Sequence, residues 1–186
     1  RRDSIEIMLK KSIALEDLIE NILDMSRIEE GRLEVAREPF DISALCREVG
    51  DEQERVEGLH EVVYDIPGSP LMALGDREKT EVAFGNLVRN ALKFSPDGGR
   101  VTISAKQAGE MVEIGVRDEG IGVPPELRER IFERFYQIDS SETRSFPGTG
   151  LGLYIARELV ESMGGEVGLS SDPGVGSLFT LTLPLA

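Results

Sequence analysis

Three glycines at alternate positions run directly into an amphipathic segment, and this stretch constrains the fold more than any other. Gly148, Gly150 and Gly152 have no Cβ, so the backbone there can approach a ligand closely. The apolar residues recur at helical spacing: Leu151, Ile155, Leu159 and Met163. Unpaired first-turn amides and the positive end of a helix dipole both favour phosphate. The stretch predicts an anion-binding helix start, although a flexible loop before an ordinary surface helix would share the pattern.

The bulk composition limits the classes of protein to consider. The 186 residues suffice for one well-cored domain and an appendage, and the net charge of −14 argues against nucleic acid or an anionic membrane as partner. The single cysteine, Cys46, excludes an internal disulfide or a zinc cluster and is expected to be buried. No signal peptide or long apolar run is present, so we expect a cytoplasmic fragment without membrane contact, whether or not its parent protein is membrane-anchored.

Residues 4–30 predict one long amphipathic helix, whose apolar residues follow a seven-residue repeat. At 1.5 Å per residue this helix would be about 40 Å long, so its apolar stripe needs partner helices. Gly31 is expected to end it. We therefore predict two domains, residues 1–31 as half of a helical hairpin and residues 32–186 as the compact domain.

The rest of the chain interleaves helices and strands without the strict alternation of a parallel sheet. Asp41 and Asp76 are expected to cap helices. Further helices are predicted over residues 125–136 and after Gly152, and strands over residues 33–35, 62–66, 71–73, 101–106, 111–117, 167–170 and 178–183. This pattern predicts an α+β fold, a two-layer α/β sandwich with helices on one face of a mixed sheet, preceded by the long helix.

Two clusters carry candidate chemistry. Asn86, Asn90 and Lys93 form one polar line on the helix predicted over residues 77–93, where an amide oxygen suits Mg²⁺ and a lysine suits phosphate. Asp118 is in phase with the apolar residues of the preceding strand, so its carboxylate should point inward and need a donor such as a purine amine. The alternative for the first cluster is a solvated helix face without a ligand. The alternative for the second is an ordinary turn at the end of a strand.

Four segments in this order resemble the N box, first glycine box, F box and second glycine box of sensor histidine kinases: residues 86–93, 118–122, 132–136 and 148–153. Upstream, residues 23–31 are similar to the end of the second helix of that family's dimerisation and phosphotransfer domain. The resemblance covers about residues 33–186 and implies the Bergerat-type ATP-binding sandwich.

The resemblance also implies a phosphate end and a metal site. Asn90 would ligate Mg²⁺, Asn86 would line the same wall, and Lys93 would contact phosphate. Residues 137–147 would form a lid. The triphosphate would be held by Gly148, Thr149, Gly150, Leu151, Gly152 and Leu153.

For the base, the resemblance implies that Phe94 lies against adenine and that Asp118 accepts the adenine amine. Gly120 and Gly122 would leave room for the ring, and Thr180 would add a polar contact through water.

Two features depart from the family pattern. Its acceptor histidine lies in a His-Glu-x-x-(Thr/Asn)-Pro motif, whereas the single His60 leads into a strand and is expected to be a surface residue, so the acceptor is expected before residue 1. Gln137 stands where many members have an arginine, which could stabilise the charge of the transferred phosphoryl group. Arg134 or Arg144 could take that role.

The sequence thus predicts the ATP-binding catalytic part of a sensor histidine kinase. Its parent would transfer the γ-phosphoryl of Mg·ATP to a histidine outside this sequence and then to the aspartate of a response-regulator receiver domain, as a homodimer joined through the N-terminal helix. Two alternatives remain: a nucleotide-binding and dimerisation module with weak or no transfer activity, and a serine kinase or ATPase of the same superfamily.

Overall fold

The computed structural model of the chain describes residues 19, 22–23, 25–30, 33–57, 60–95, 98–138 and 149–186. The chain divides into two compact units, Arg1–Glu34 and Val35–Ala186. In the first unit, residues 19, 22–23 and 25–29 are helical and Glu30 lies in a turn, while the other residues of the predicted helix, with Gly31, lie outside the described residues. Among the described residues, no helix is long and apolar enough to cross a membrane.

Seven strands and three α-helices make up the described part of the second unit. The strands are β1 (Glu38–Asp41), β2 (His60–Asp65), β3 (Met72–Gly75), β4 (Gly99–Ala108), β5 (Met111–Arg117), β6 (Val167–Asp172) and β7 (Gly176–Pro184). The helices are α1 (Ile42–Glu57), α2 (Arg77–Lys93) and α3 (Gly152–Ser162).

Five of the strands form one mixed sheet in the order β2-β4-β5-β7-β6, and β1 pairs with β3 separately. β2 runs parallel to β4, and the other pairs in the large sheet are antiparallel. Alternate residues of β5, Val112, Ile114 and Val116, are buried on the face where the helices pack. The predicted α+β sandwich is therefore confirmed.

Helix boundaries follow the capping signals in the sequence. Asp41 Oδ1 accepts a hydrogen bond from Ser43 N at 2.9 Å, and Asp76 Oδ1 accepts one from Lys79 N at 3.1 Å. Gly164, with φ of +83°, follows the end of α3. Both predicted N-caps are confirmed.

Two predicted elements are wrong. Residues 33–35 form no strand, because the pairing with β3 begins at Glu38 and buries Phe40 instead. Residues 125–136 form no α-helix but two 3-10 turns, Pro125–Leu127 and Arg130–Phe132. The left-handed φ of +59° at Phe135 prevents a helix from continuing to residue 136.

The apolar stripe of the helix that follows the three alternate glycines lies in the core. Leu151, Ile155, Leu159 and Met163 are all at most 1% exposed, so α3 is anchored along its length. Cys46 is buried as predicted, and burial raises the pKa of its thiol to about 12. That thiol stays protonated at neutral pH and is not a nucleophile.

Candidate functional site

The polar line of α2 meets the first turn of α3. A Cβ on Gly152, the first residue of α3, would lie 3.3 Å from Asn86 Oδ1. That distance is tighter than usual packing, so the glycine lets the start of α3 lie directly against Asn86. The first backbone N–H groups of α3, which have no partner within the helix, thus lie close to the side-chain amide of Asn86.

Asn86 is held by a residue that the sequence analysis missed. Arg89 Nη2 donates a 2.7 Å hydrogen bond to Asn86 Oδ1. Asn86 is 5% exposed, and its Nδ2 has no hydrogen-bond partner among the described residues. Because the oxygen is occupied and an N–H is unpaired, Asn86 is suited to donate to an anion rather than to ligate a metal. The i,i+3 spacing was the available sequence signal.

Asn90 and Lys93 continue the line. Both are half-buried, and within the described ranges the Asn90 side chain makes no hydrogen bond, which leaves its amide oxygen available. Lys93 Nζ lies 4.9 Å from the centroid of the Phe94 ring, and burial lowers the pKa of Lys93. Phe94 ends the helix, with its N–H bonded to Asn90 O at 3.0 Å. These residues form a continuous wall.

Asp118 is buried, as its phase with β5 predicts, and is 4% exposed. Its Oδ1 accepts hydrogen bonds from Gly120 N at 2.9 Å and from Ser177 N at 3.1 Å. Burial raises the pKa of Asp118, although both of these hydrogen bonds oppose the shift. Its second carboxylate oxygen accepts no hydrogen bond within the described residues, so it can receive a donor from a ligand.

Gly120 and Gly122 were predicted to leave room for a ring, but in the structure they allow close backbone packing. A Cβ on Gly120 would lie 2.8 Å from the carbonyl carbon of Phe94, and one on Gly122 would lie 2.8 Å from that of Asp172. Backbone, rather than a vacant space for a ring, therefore occupies the missing side-chain volume. The two glycines let the loop after β5 pack against the end of α2 and the end of β6.

Thr180 does not join this cluster. It alternates with Phe179 and Leu181, which are buried on the helix side, and its Oγ1 lies 2.6 Å from where a Cβ on Gly168 would be. Thr180 therefore lies on the opposite face of the sheet. Ser177, in phase with Phe179, lies beside Asp118 instead, and this phase was the signal available in the sequence.

The second glycine box packs against the F box. Gly150 has φ of +70°, and a Cβ there would lie 2.7 Å from the carbonyl carbon of Phe135. Phe135 N donates to Gly150 O at 2.9 Å. Thr149 Oγ1 accepts from the buried Leu151 at 3.2 Å, and Leu153 is half-buried in the first turn of α3.

Of the two candidate arginines, the structure describes Arg134, which lies against α3. The Arg134 guanidinium lies 5.8 Å from the Tyr154 ring centroid and interacts electrostatically with Glu158, whose pKa is raised mainly by burial. Arg144 and Gly148 lie outside the described residues, as do residues 139–147 of the predicted lid. Arg89 contacts the polar line directly, through its hydrogen bond to Asn86.

A family model described as histidine kinase-, DNA gyrase B- and HSP90-like ATPase matches residues 75–186. The sensor histidine kinase WalK of Bacillus subtilis is 36% identical over 170 residues, and the sensor-like histidine kinase SenX3 of Mycobacterium tuberculosis is 35% identical over 181. These alignments cover 90% and 96% of this chain, but only 28% of WalK and 44% of SenX3. The chain thus spans less than half the length of these curated relatives.

Solved structures give the same picture. The mycobacterial sensor histidine kinase MprB has a TM-score of 0.71 at 30% identity, covering 81% of this chain and 98% of its own. Full-length ShkA in complex with AMPPNP has a TM-score of 0.82 at 30% identity, covering all of this chain and 39% of its own.

Proposed function

The chain belongs to the histidine kinase-, DNA gyrase B- and HSP90-like ATPase family, and from that premise we propose that it binds Mg·ATP as the catalytic part of a sensor histidine kinase. Its parent protein transfers the γ-phosphoryl group to a histidine outside these residues. A response-regulator aspartate then receives the group. Residues 1–31 contribute to a homodimer of the parent, and residues 32–186 form the catalytic domain.

One observation carries the proposal: α2 runs from the start of α3, at Asn86, to the loop that holds Asp118, at Phe94. Asn86 lies against the start of α3, whereas the backbone of Phe94 packs against the loop that holds Asp118. Phe94 follows Asn86 by eight positions, which corresponds to about 12 Å along the helix axis. A nucleotide along this wall would offer its amine to Asp118 and its phosphates to the α3 amides.

The donors present fit a magnesium ion bound mainly through nucleotide. Within the described residues, no group of three histidine, cysteine or acidic side chains could hold a metal alone. Asn90 supplies one hard, neutral oxygen, and Mg²⁺ commonly keeps waters and takes its remaining ligands from phosphates. When bound, the ion would neutralise phosphate charge and help to align the γ-phosphoryl group.

The chain's own contribution to transfer is positioning and charge compensation. Asn86 Nδ2 and the first amides of α3 donate to phosphate oxygens, and Lys93 adds a positive charge from the next turns of α2. His60 is not suited to accept the phosphoryl group, because its Nε2 donates to Ser95 O at 2.8 Å and its Nδ1 is buried. The acceptor must therefore come from another segment.

Thermal unfolding of the full chain with and without Mg·ATP tests the proposed binding. Nucleotide at about 100 times Kd should stabilise the folded state by roughly 2.7 kcal/mol. No increase in Tm at millimolar Mg·ATP would contradict nucleotide binding. Transfer is then tested by supplying a histidine-containing dimerisation helix and looking for acid-labile, alkali-stable phosphate on it.

Asn90→Ala is expected to weaken Mg·ATP binding about tenfold, or roughly 1.4 kcal/mol, because it removes the one protein oxygen proposed for the metal. Isothermal titration with Mg²⁺, and again with a chelator, measures the effect. In chelator, Asn90→Ala and wild type should agree. Asn86→Ala is the matched comparison, since losing a phosphate donor should weaken binding in both conditions. An Asn90→Ala defect that persists undiminished in chelator would contradict the metal assignment.

ATP affinity is expected to fall on acidification at a pH above the range of an exposed aspartate. Burial raises the pKa of Asp118, and only its ionised form leaves the second carboxylate oxygen without a proton, as an acceptor for the amine. In the free protein the sign is opposite: a raised folded-state pKa means that the stability contribution of Asp118 is lost as pH rises through it. Titrations over a pH series, with Asp118→Asn as reference, check this. Parallel pH profiles would contradict it.

A further inference from the structure

One buried hydroxyl outside the residues assigned so far connects the segments around Asp118. Ser171, in β6, is 5% exposed. Its Oγ lies 2.8 Å from Val123 N, 2.9 Å from Gly176 O and 3.0 Å from Ser177 Oγ. Ser177 in turn donates its backbone N–H to Asp118 Oδ1 at 3.1 Å. A chain of hydrogen bonds therefore runs from Ser171 to the carboxylate.

The proton positions in this chain follow from counting donors and acceptors. A hydroxyl donates one hydrogen bond and accepts two. The Gly176 carbonyl can only accept, so Ser171 donates its proton there, and Val123 N–H takes one of the Ser171 lone pairs. The remaining contact is satisfied only when Ser177 donates to Ser171. The proton of Ser177 is thereby committed to Ser171.

This arrangement leaves the Ser177 hydroxyl with acceptor capacity alone. Ser177 is 6% exposed, and within the described residues its hydroxyl has no partner besides Ser171. The free oxygen of Asp118 is likewise an acceptor. Two neighbouring side chains therefore offer lone pairs and no proton, which suits an amine and disfavours a carbonyl oxygen.

We propose that Ser171 is a positioning residue that sets nucleobase selectivity: by holding the proton of Ser177, it keeps the site at Asp118 free of donors, so that a 6-amino purine is accepted and a 6-oxo purine rejected. This role rests on the proposed function, because it requires the base to lie at Asp118. Ser171 itself does not touch the nucleotide.

The test compares ATP with inosine triphosphate, in which a carbonyl replaces the amine. Dissociation constants of both magnesium complexes are measured on the full chain by isothermal titration. Ser171→Ala frees the Ser177 proton to donate to the carbonyl, so the ratio of the inosine triphosphate Kd to the ATP Kd should fall about tenfold, as expected for about one hydrogen bond. Ser171→Thr keeps a hydroxyl and should retain the wild-type ratio.

Ser177→Ala keeps the test decisive if Ser171→Ala does not fold, as judged by circular dichroism. Removing the Ser177 hydroxyl should also lower the ratio, and the double variant should lower it no further than Ser177→Ala alone. A ratio within threefold of wild type in folded Ser171→Ala, or in Ser177→Ala, would overturn the inference while leaving ATP binding intact. A wild-type chain that fails to bind ATP would instead overturn the proposed function, and this inference with it.

Discussion

Asp118→Asn is expected to bind Mg·ATP about 100-fold more weakly than wild type, equivalent to roughly 2.7 kcal/mol, while the domain remains folded. The asparagine oxygen can still accept the N–H groups of Gly120 and Ser177, which lie 2.9 and 3.1 Å from Asp118 Oδ1. Its NH₂ group would then take the place of the free carboxylate oxygen and face the purine amine, donor against donor. Isothermal titration gives the affinity.

The same substitution separates binding from folding. Because burial raises the pKa of Asp118, its charge costs stability at neutral pH, and Asp118→Asn should unfold no more easily than wild type without ligand. Glu119→Gln is the matched control, since it neutralises an adjacent exposed carboxylate whose Oε2 accepts Arg100 N at 3.2 Å. Its ATP affinity should stay within about threefold of wild type. An Asp118→Asn affinity equally close to wild type would exclude Asp118 as the base acceptor.

Gly122→Ala is expected to destabilise the domain by more than about 3 kcal/mol, because a left-handed backbone and a steric collision add together. Gly122 has φ of +70°, and its Cβ would lie 2.8 Å from the carbonyl carbon of Asp172. Gly109→Ala isolates the backbone effect, since Gly109 has φ of +65° with nothing within 4 Å of a Cβ. That change should cost only about 1–2 kcal/mol.

Urea unfolding of both variants, without nucleotide, measures the difference. Gly122→Ala should also lose most ATP affinity, because the displaced loop carries Asp118, whereas Gly109→Ala should retain it. Equal losses of stability in the two variants would show that the loop after β5 can move away from Asp172. The close approach would then have no part in holding the carboxylate.

Local sequence signals predict those features of the fold that are determined within a single helix or strand. Period-two alternation predicts the inward face of β5, and Asp41 and Asp76 mark the starts of α1 and α2. The apolar spacing after Gly152 predicted α3 for the same reason. The helix predicted over residues 125–136 is wrong because the helix-like pattern carries no information about Phe135. The left-handed conformation of Phe135 goes with its packing on Gly150.

The candidate site was predictable only in part, because several of its features join elements distant in sequence. The strand phase anticipated the burial of Asp118, but not its bond to Ser177, 59 residues later. The sequence predicts that Gly120 makes space for a ring, because sequence alone cannot show that the backbone of Phe94 fills that space. The predicted contact of Thr180 with the base does not match its place on the opposite face of the sheet, whereas alternation from Phe179 favours Ser177.

The bond between Ser177 and Asp118 also bears on when the site comes into being during folding. β7 is the last strand that the structure describes, and its ladder with β5 runs from the pair Arg117–Leu178, which encloses 60 residues, to the pair Met111–Pro184, which encloses 72. Such non-local pairings are entropically costly to close, so the acceptor geometry around Asp118 is completed late. Bound nucleotide should therefore lower the unfolding rate constant far more than it raises the folding rate constant, because its site forms only after the transition state for folding.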